Sequence, residues 1–361
     1  MISNFYFNRE EYITKNELPV LLYSIDDIDL SDYSKIIALV DENIYRLHKN
    51  YVDNNFKDII LISPYEKTKN LNNVVPILKQ LTNKNLDRDS CIIGVGGGVT
   101  GDITGFCASI YMRGIDFIQI PTSFMSMSDH IIGKVAISNE KKNVFGSFYS
   151  PKYIIIEDIF ISSMPRKLMM QGLVEVLKHY FITNYKEHSK LIDKKYFKDI
   201  IIKIANNEES LTDRKNVIQI SHNIKAFFVK QDPYDKTGVH KALSYGHTFA
   251  NAIESIDQTI NHGEAVLKGM ELAAKLSYKL GMLDEINYKH HTNMTSLLSK
   301  NLPELKITSK QIKSMIYSFK TDKISSNGKM KFVLLTEIGK YKLIGVEEAI
   351  INEFLLKEVS K

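Results

Sequence analysis

Only two of the 361 residues are cysteine, too few for a disulfide-stapled framework. Cys91 and Cys107 fall inside a predicted strand and a predicted helix. They read as small core residues of a chain kept in reducing surroundings. Long apolar runs are missing as well. None approaches the roughly 20 residues that cross a bilayer, and the opening residues show no basic segment followed by an apolar stretch. The expectation is a cytoplasmic protein with no membrane partner. Charge of one sign is scarce too: 47 Lys and Arg against 42 Asp and Glu leave a formal net charge of +5. That diffuse excess, without a basic stripe interleaved with aromatics, argues against a nucleic-acid partner and suits a small anionic substrate. There is no internal repeat and no low-complexity linker. What remains is an ordinary globular composition, 44% hydrophobic and 25% charged, with length enough for two domains and buried cores.

The first half alternates short apolar runs with helical patterns. Residues 36–40, 59–62, 91–95, 117–120 and 153–156 predict buried strands, and 43–52 and 70–81 carry helical spacing. Strand–helix alternation predicts an α/β layer with parallel strands, doubly wound. From about residue 160 strand runs thin out. Long amphipathic helices are expected over 166–185, 216–230, 248–257 and 263–279, with one late strand at 330–335. The expected organisation is an α/β, Rossmann-like domain over residues 1–160 and a mainly α-helical domain over 161–361.

Between residues 96 and 143 the chain reads GGGVTGD (96–102), YMRG (111–114), PTSF (121–124) and KKN (141–143). A hydrophobic strand runs into three glycines and then into a helix-compatible stretch, an order that brings backbone N–H groups to a pyrophosphate at a helix N-terminus. Gly96, Gly98 and Gly101 satisfy G-x-G-x-x-G literally. Arg113, Lys134, Lys141 and Lys142 follow, so a nucleotide beside an anionic substrate is expected.

Other residues are individually weak signals. Glu175 sits among Leu173, Val174, Val176 and Leu177, and His247 and His262 each precede a helical stretch. Two His and one carboxylate with an open position form a common catalytic zinc set, but spacing alone favours a solvated Glu and helix-capping histidines. Lys178 shares a helical face with Glu175, which on a wet face is a surface pair worth ~0.2–0.5 kcal/mol. Arg113 before Gly114 could end a helix. Asp41, ending the first predicted strand, could hold a ribose hydroxyl or cap the next helix. Glu66 and Lys69 are bland on their own.

Taken jointly, GGGVTGDITGF, YMRGIDFIQIPTSF, KNVFGSFYSP, GLVEVLK, YGHTF and HGEAVLKGM, in this order, resemble the 3-dehydroquinate synthase family of sugar phosphate cyclases over roughly residues 36 to 340. The resemblance implies NAD bound in the N-terminal domain and a divalent metal, zinc or cobalt, in the helical one. It places Glu175, His247 and His262 as metal ligands. Gly97, Gly98 and Asp102 would hold the dinucleotide, with Asp41, Glu66, Lys69, Thr122 and Ser123 around it. An acid about 20 residues past the glycines would instead nominate Asp116; the family's first-strand acid, Asp41, replaces it. Arg113, Asp129, Lys134, Lys142, Asn143, Lys178 and Lys225 fall on substrate-site positions. Lys134, Lys178, Asp129 and Asn143 are the expected catalytic group, and the cations would pin carboxylate and phosphate. The implied reaction oxidises a hydroxyl, expels phosphate, returns the hydride and closes a carbocycle, a lyase step in aromatic amino acid biosynthesis. Dimerisation is common in the family, so a homodimer is expected.

Three departures fall where substrate is recognised. Ser244 stands where an Asn is usual, Asn251 where a second His is usual, and His240 where an Arg is usual. Around Asp129 the segment to Lys134 is one residue short. Losing an Arg at a carboxylate removes a charge-assisted bond worth ~1.5–3 kcal/mol, and Asn251 cannot relay a proton. Two readings follow: 3-dehydroquinate synthase with compensated drift, or a related cyclase of the 2-deoxy-scyllo-inosose or epi-valiolone synthase type. A metal-dependent polyol or glycerol dehydrogenase is the alternative of another class.

Overall fold

The structure, a computed structural model, describes residues 18–129, 132–140, 142–185, 192–257, 259–321, 325 and 330–359. His130, Ile131 and Lys141 lie outside them. The chain divides into two compact units, Met1–Met164 and Pro165–Lys361.

The first unit runs β1 (Val20–Leu22), β2 (Ile36–Asp41), α1 (Glu42–Leu47), α2 (Lys49–Asn55), β3 (Ile59–Ile62), α3 (Leu71–Asn83), β4 (Cys91–Gly96), α4 (Gly98–Ile110), β5 (Asp116–Pro121), α5 (Phe124–Ser128), β6 (Val135–Ile137), β7 (Phe145–Ser147), β8 (Tyr153–Ile155) and α6 (Asp158–Ser162). Six strands form one parallel sheet in the order β1-β8-β5-β4-β2-β3. The apolar runs read from sequence are its members other than β1, buried because helices cover a parallel sheet. Their core includes Ile37, Leu39, Ile92, Ile103, Phe106 and Phe117. Cys91 and Cys107 are buried free thiols.

Three details differ from the sequence expectation, the first being β1, a three-residue edge strand that was not expected. The helix expected over 43–52 is broken at His48 (φ −128°), which caps α1 and opens α2. The short antiparallel pair β6–β7 was not expected, because three-residue strands carry too little alternation to register. Topology matters more for function. From β2 the chain goes outward to β3, then returns to place β4 on the other side of β2. The β2/β4 boundary is therefore the switch point of the sheet, where α/β folds leave a crevice at the strands' C-terminal ends.

The second unit runs α7 (Arg166–Ile182), α8 (Lys194–Asn206), α9 (Leu211–Gln231), α10 (His247–Ile256), α11 (His262–Lys279), α12 (Glu285–Ser299), α13 (Ser309–Thr321), β9 (Met330–Glu337), β10 (Lys340–Val346) and α14 (Glu348–Val359). The late strand pairs with β10 in a hairpin that turns at Gly339, where φ is +92°. One correction is needed: α7 is not amphipathic. Every residue from Met169 to Ile182 is buried, the signature of a helix enclosed on all sides. Glu175 and Lys178 are on it.

Candidate metal and dinucleotide sites

In the second unit the three presumed ligands come from three helices. Glu175 is in the middle of α7, His247 opens α10 and His262 opens α11. Glycines allow these helices to approach. A Cβ on Gly263 would stand 2.9 Å from the carbonyl carbon of Gln171, so α11 begins against the backbone of α7. A Cβ on Gly269 would stand 3.1 Å from Ala250 N and from Gly246 C, which lets α11 lie close along the start of α10. Gly246 has φ +79°, a conformation that L side chains rarely adopt.

The result is one cluster, with an available ligand atom on each residue and all three atoms within 4.8 Å of one another. His247 Nε2 and His262 Nε2 lie 3.5 and 3.4 Å from the same oxygen, Glu175 Oε1. A tetrahedral ion with ligands about 2.1 Å away sets them roughly 3.4 Å apart, so the donor set fits a zinc-like cation and leaves a position open. The other oxygen of Glu175, Oε2, is 2.7 Å from Lys178 Nζ, which leaves Oε1 to face the histidines. The expectation of a solvated Glu, a wet ion pair and helix-capping histidines is therefore overturned. Both Glu175 and Lys178 are 1% exposed, and the capping side chain of α11 is Asn261.

Electrostatics separates the two histidines. Burial pulls His247 down to about 4 despite Glu175, and its Nδ1 lies 3.1 Å from the Tyr245 carbonyl oxygen. Burial also works against protonating His262, but the hydrogen bonds it donates to the Glu175 and Glu254 carboxylates outweigh that and raise the ring to about 9. His262 Nδ1 is 2.8 Å from Glu254 Oε1. Glu254 escaped the sequence reading; its only signal was an acid seven residues after His247 on the same helix, near two helical turns.

Asn251 lies one turn after His247 on α10, so both project from one face. His240 and Ser244 bound a single 3-10 turn. Its approach is fixed by Asp232, also missed from sequence, whose carboxylate accepts the backbone N–H groups of Lys236, Thr237, Gly238 and His240 at 2.7 to 3.3 Å. Burial opposes the charge of Asp232, but these bonds hold its carboxyl well below the usual range. Lys225 is half-buried on α9, three residues past the buried His222.

In the first unit the glycine turn stands at the C-terminal end of β4. A Cβ on Gly96 would meet Thr100 and, at 3.0 Å, Asp41 Cβ. The turn thus abuts the end of β2 at the switch point. Gly97 would meet only Ser123 Oγ at 3.6 Å, and Gly98 faces open space. No side chain caps the N-terminus of α4. Room beside Gly98 and uncapped N–H groups fit a dinucleotide phosphate. Asp41 Oδ1 takes Asn43 N and Ile44 N at 2.7 and 3.3 Å, capping α1. Asp116 is at the opposite end of the sheet, 3.1 Å from Lys152.

Lys69 is buried with its ammonium 3.1 Å from Glu66 and 3.0 Å from Asp102. The second Asp102 oxygen accepts Ala136 N at 2.9 Å. Burial lifts the Asp102 carboxyl, with Lys69 opposing. Thr122 N donates to Gly96 O at 3.0 Å, and Ser123 caps α5. Arg113 is the last residue of a short 3-10 turn, Tyr111–Arg113, that follows α4 and is capped by Gly114, so it ends that turn rather than α4. It stands exposed in a strained turn where Met112, Arg113 and Gly114 all have positive φ (+48°, +70° and +116°). Asp129 is the C-cap of α5. Lys134 precedes β6, whereas Lys142 and Asn143 are in the β6–β7 turn, so the hairpin puts Lys134 at its opposite end.

A doubly wound parallel sheet with an open glycine turn, and a helical unit bearing a Glu–His–His cluster, define a two-domain class of dinucleotide- and metal-type enzymes. Comparison narrows it. Residues 59–171 match the model of the 3-dehydroquinate synthase N-terminal region, and 172–325 that of the C-terminal region. A 3-dehydroquinate synthase from Sulfurovum sp. (strain NBC37-1) is 35% identical over 305 residues, 83% of each chain. Among solved structures, 2-deoxy-scyllo-inosose synthase complexed with carbaglucose-6-phosphate, NAD+ and Co2+ superimposes with a TM-score of 0.81 at 24% identity, over 94% of this chain and 96% of that one. The 2-epi-5-epi-valiolone synthase ValA from Streptomyces hygroscopicus subsp. jinggangensis 5008, with NAD+ and Zn2+ bound, gives 0.77 at 20%, over 94% and 96%. The chain belongs to the 3-dehydroquinate synthase family. It is a cyclase-type enzyme, and no helix among the described residues is long and apolar enough to cross a membrane.

Proposed function

We propose that this enzyme is an NAD- and divalent-metal-dependent sugar phosphate cyclase, formally a phosphate lyase, and that its reaction converts 3-deoxy-D-arabino-heptulosonate 7-phosphate to 3-dehydroquinate. The observation that carries the reading is the meeting of His247 and His262 on Glu175 Oε1 at 3.5 and 3.4 Å, in a chain whose two halves match this family. When bound, NAD takes up and returns a hydride, and the metal lowers the pKa of the hydroxyl it ligates.

In the first unit Gly97, Gly98 and the α4 N-terminus receive the pyrophosphate. Asp41, Glu66, Lys69, Asp102, Thr122 and Ser123 surround the remaining dinucleotide, with the Lys69 bridge holding Asp102 against the 3-10 turn that starts at Glu66. The exposed cations Arg113, Lys134 and Lys142, with Asn143, serve the anionic substrate, and Asp129 assists at the reacting carbons. In the second unit Glu175, His247 and His262 hold the metal. Lys178 fixes Glu175 and supplies charge, while Lys225, His240, Ser244 and Asn251 select the substrate. A cytoplasmic homodimer accompanies this reading on the strength of the family resemblance.

His240, Ser244 and Asn251 favour a second reading, a cyclase for a substrate other than the heptulosonate. Phosphate release from 3-deoxy-D-arabino-heptulosonate 7-phosphate, glucose 6-phosphate and sedoheptulose 7-phosphate by protein loaded with NAD and zinc decides between them. Release from the first alone supports the assignment. Release only from one of the others replaces it with the second reading, and none from any of the three overturns the cyclase assignment for these substrates.

A further inference from the structure

An imidazole offers a metal one nitrogen at a time, so each ligand ring must be held by its other nitrogen. His247 is held by backbone, through the Tyr245 carbonyl oxygen at 3.1 Å. Tyr245 is itself fixed, with its hydroxyl 3.0 Å from Nε2 of the buried His291. The ring of His262 is held by a side chain instead: Nδ1 lies 2.8 Å from Glu254 Oε1.

We propose that Glu254 is a positioning residue of the metal centre: it aims Nε2 of His262 at the ion and makes that ring the stronger donor. The inference rests on the metal reading above. Three features carry it. Glu254 is in the last turn of α10 and His262 is the first residue of α11, so the bond ties together the two helices that bring the histidines to Glu175. The Glu254 side chain is only 14% exposed, so solvent does little to weaken the contact. A carboxylate also differs from the carbonyl behind His247 in bearing a full charge, which raises the ligand strength of the ring it accepts from. With Glu175 and Glu254 negative and Lys178 positive, the surroundings carry one net negative charge toward a divalent cation. The two histidines are therefore unequal ligands, and only the stronger one depends on a replaceable side chain.

The test is zinc affinity of metal-free protein, measured by chelator competition with neither NAD nor substrate present, together with the visible spectrum of the cobalt-loaded form. Glu254→Ala is expected to weaken zinc binding 10- to 100-fold and to shift the cobalt bands. Glu254→Gln keeps an oxygen that accepts the same bond, so it should retain the wild-type spectrum and lose less affinity. Wild-type affinity in both variants overturns the proposal. Should the alanine variant not fold, the glutamine variant decides: a several-fold loss supports the role, and unchanged affinity refutes it. His262→Ala separates the two levels of the argument. If it too binds zinc normally, the metal centre itself is misassigned; if it loses zinc while both Glu254 variants do not, only the positioning role falls.

Discussion

Lys178 Nζ lies 2.7 Å from Glu175 Oε2, three residues along a helix that is buried on all sides. In that setting the pair is far from a surface salt bridge. Removing one partner strands the other charge without water, which typically costs about 3–5 kcal/mol. Lys178→Met should therefore lower the unfolding free energy of the metal-free protein by about that much in urea titrations. Zinc should recover part of the loss, because the ion supplies the missing positive charge. A metal-free variant as stable as the parent would mean that Glu175 is not charged there or that the protonated His262 ring, 3.4 Å from it, balances its charge without Lys178.

Glycines 96 and 98 should separate folding from cofactor binding. A methyl on Gly96 meets Thr100 and Asp41, whereas one on Gly98 meets nothing within 4 Å. Gly96→Ala is expected to destabilise by about 1–3 kcal/mol through overpacking. Gly98→Ala should fold normally and bind NAD at least tenfold more weakly in calorimetric titration. Unchanged NAD affinity in Gly98→Ala would place the dinucleotide elsewhere.

Gly263 sets the approach of α11 to α7. Its alanine variant forces backbone apart at Gln171, four residues before Glu175, and should cost about 1–3 kcal/mol of stability. Zinc binding should weaken with it, since His262 is the preceding residue. A stable variant with full zinc affinity would show that the helices adjust without disturbing the cluster.

Acid should loosen the second unit earlier than carboxylate protonation alone requires. Burial holds His222 down to about 4, with Lys225 adding to it, and His291 down to about 3, with His290 adding to it. The unfolded chain takes up these protons near pH 6.5, before the folded one does. Stability is thus full above about 6.5 and falls as pH drops toward 4 and then 3, by up to about 1.4 kcal/mol per pH unit per histidine. Urea midpoints between pH 7.5 and 4.5 should show the decline. His291→Phe, which cannot titrate, should flatten it, and an unaltered slope in that variant would remove His291 from the account.

Much of the first unit was legible because its strands are short apolar runs broken by polar helices, and local pattern reports that directly. The metal cluster was not. Glu175, His247 and His262 are separated by 72 and 15 positions, and no spacing rule joins three helices; only the order of motifs did. The burial of α7 was misread for a related reason. Lys178 and Glu175 look solvent-loving individually, and their mutual neutralisation exists only once α11 and α10 are packed against their neighbours. Asp232 and Glu254 went unnoticed because each acts on another residue's backbone or ring, which sequence does not display.

The central claim is a reaction that borrows a hydride and gives it back. Phosphate release and nicotinamide absorbance should be followed together in one reaction containing zinc-loaded protein, NAD and 3-deoxy-D-arabino-heptulosonate 7-phosphate. The account predicts many phosphates released per enzyme with no net growth of NADH absorbance. NADH accumulating in step with substrate consumed, without phosphate, would contradict it and make the protein a dehydrogenase built on the same fold.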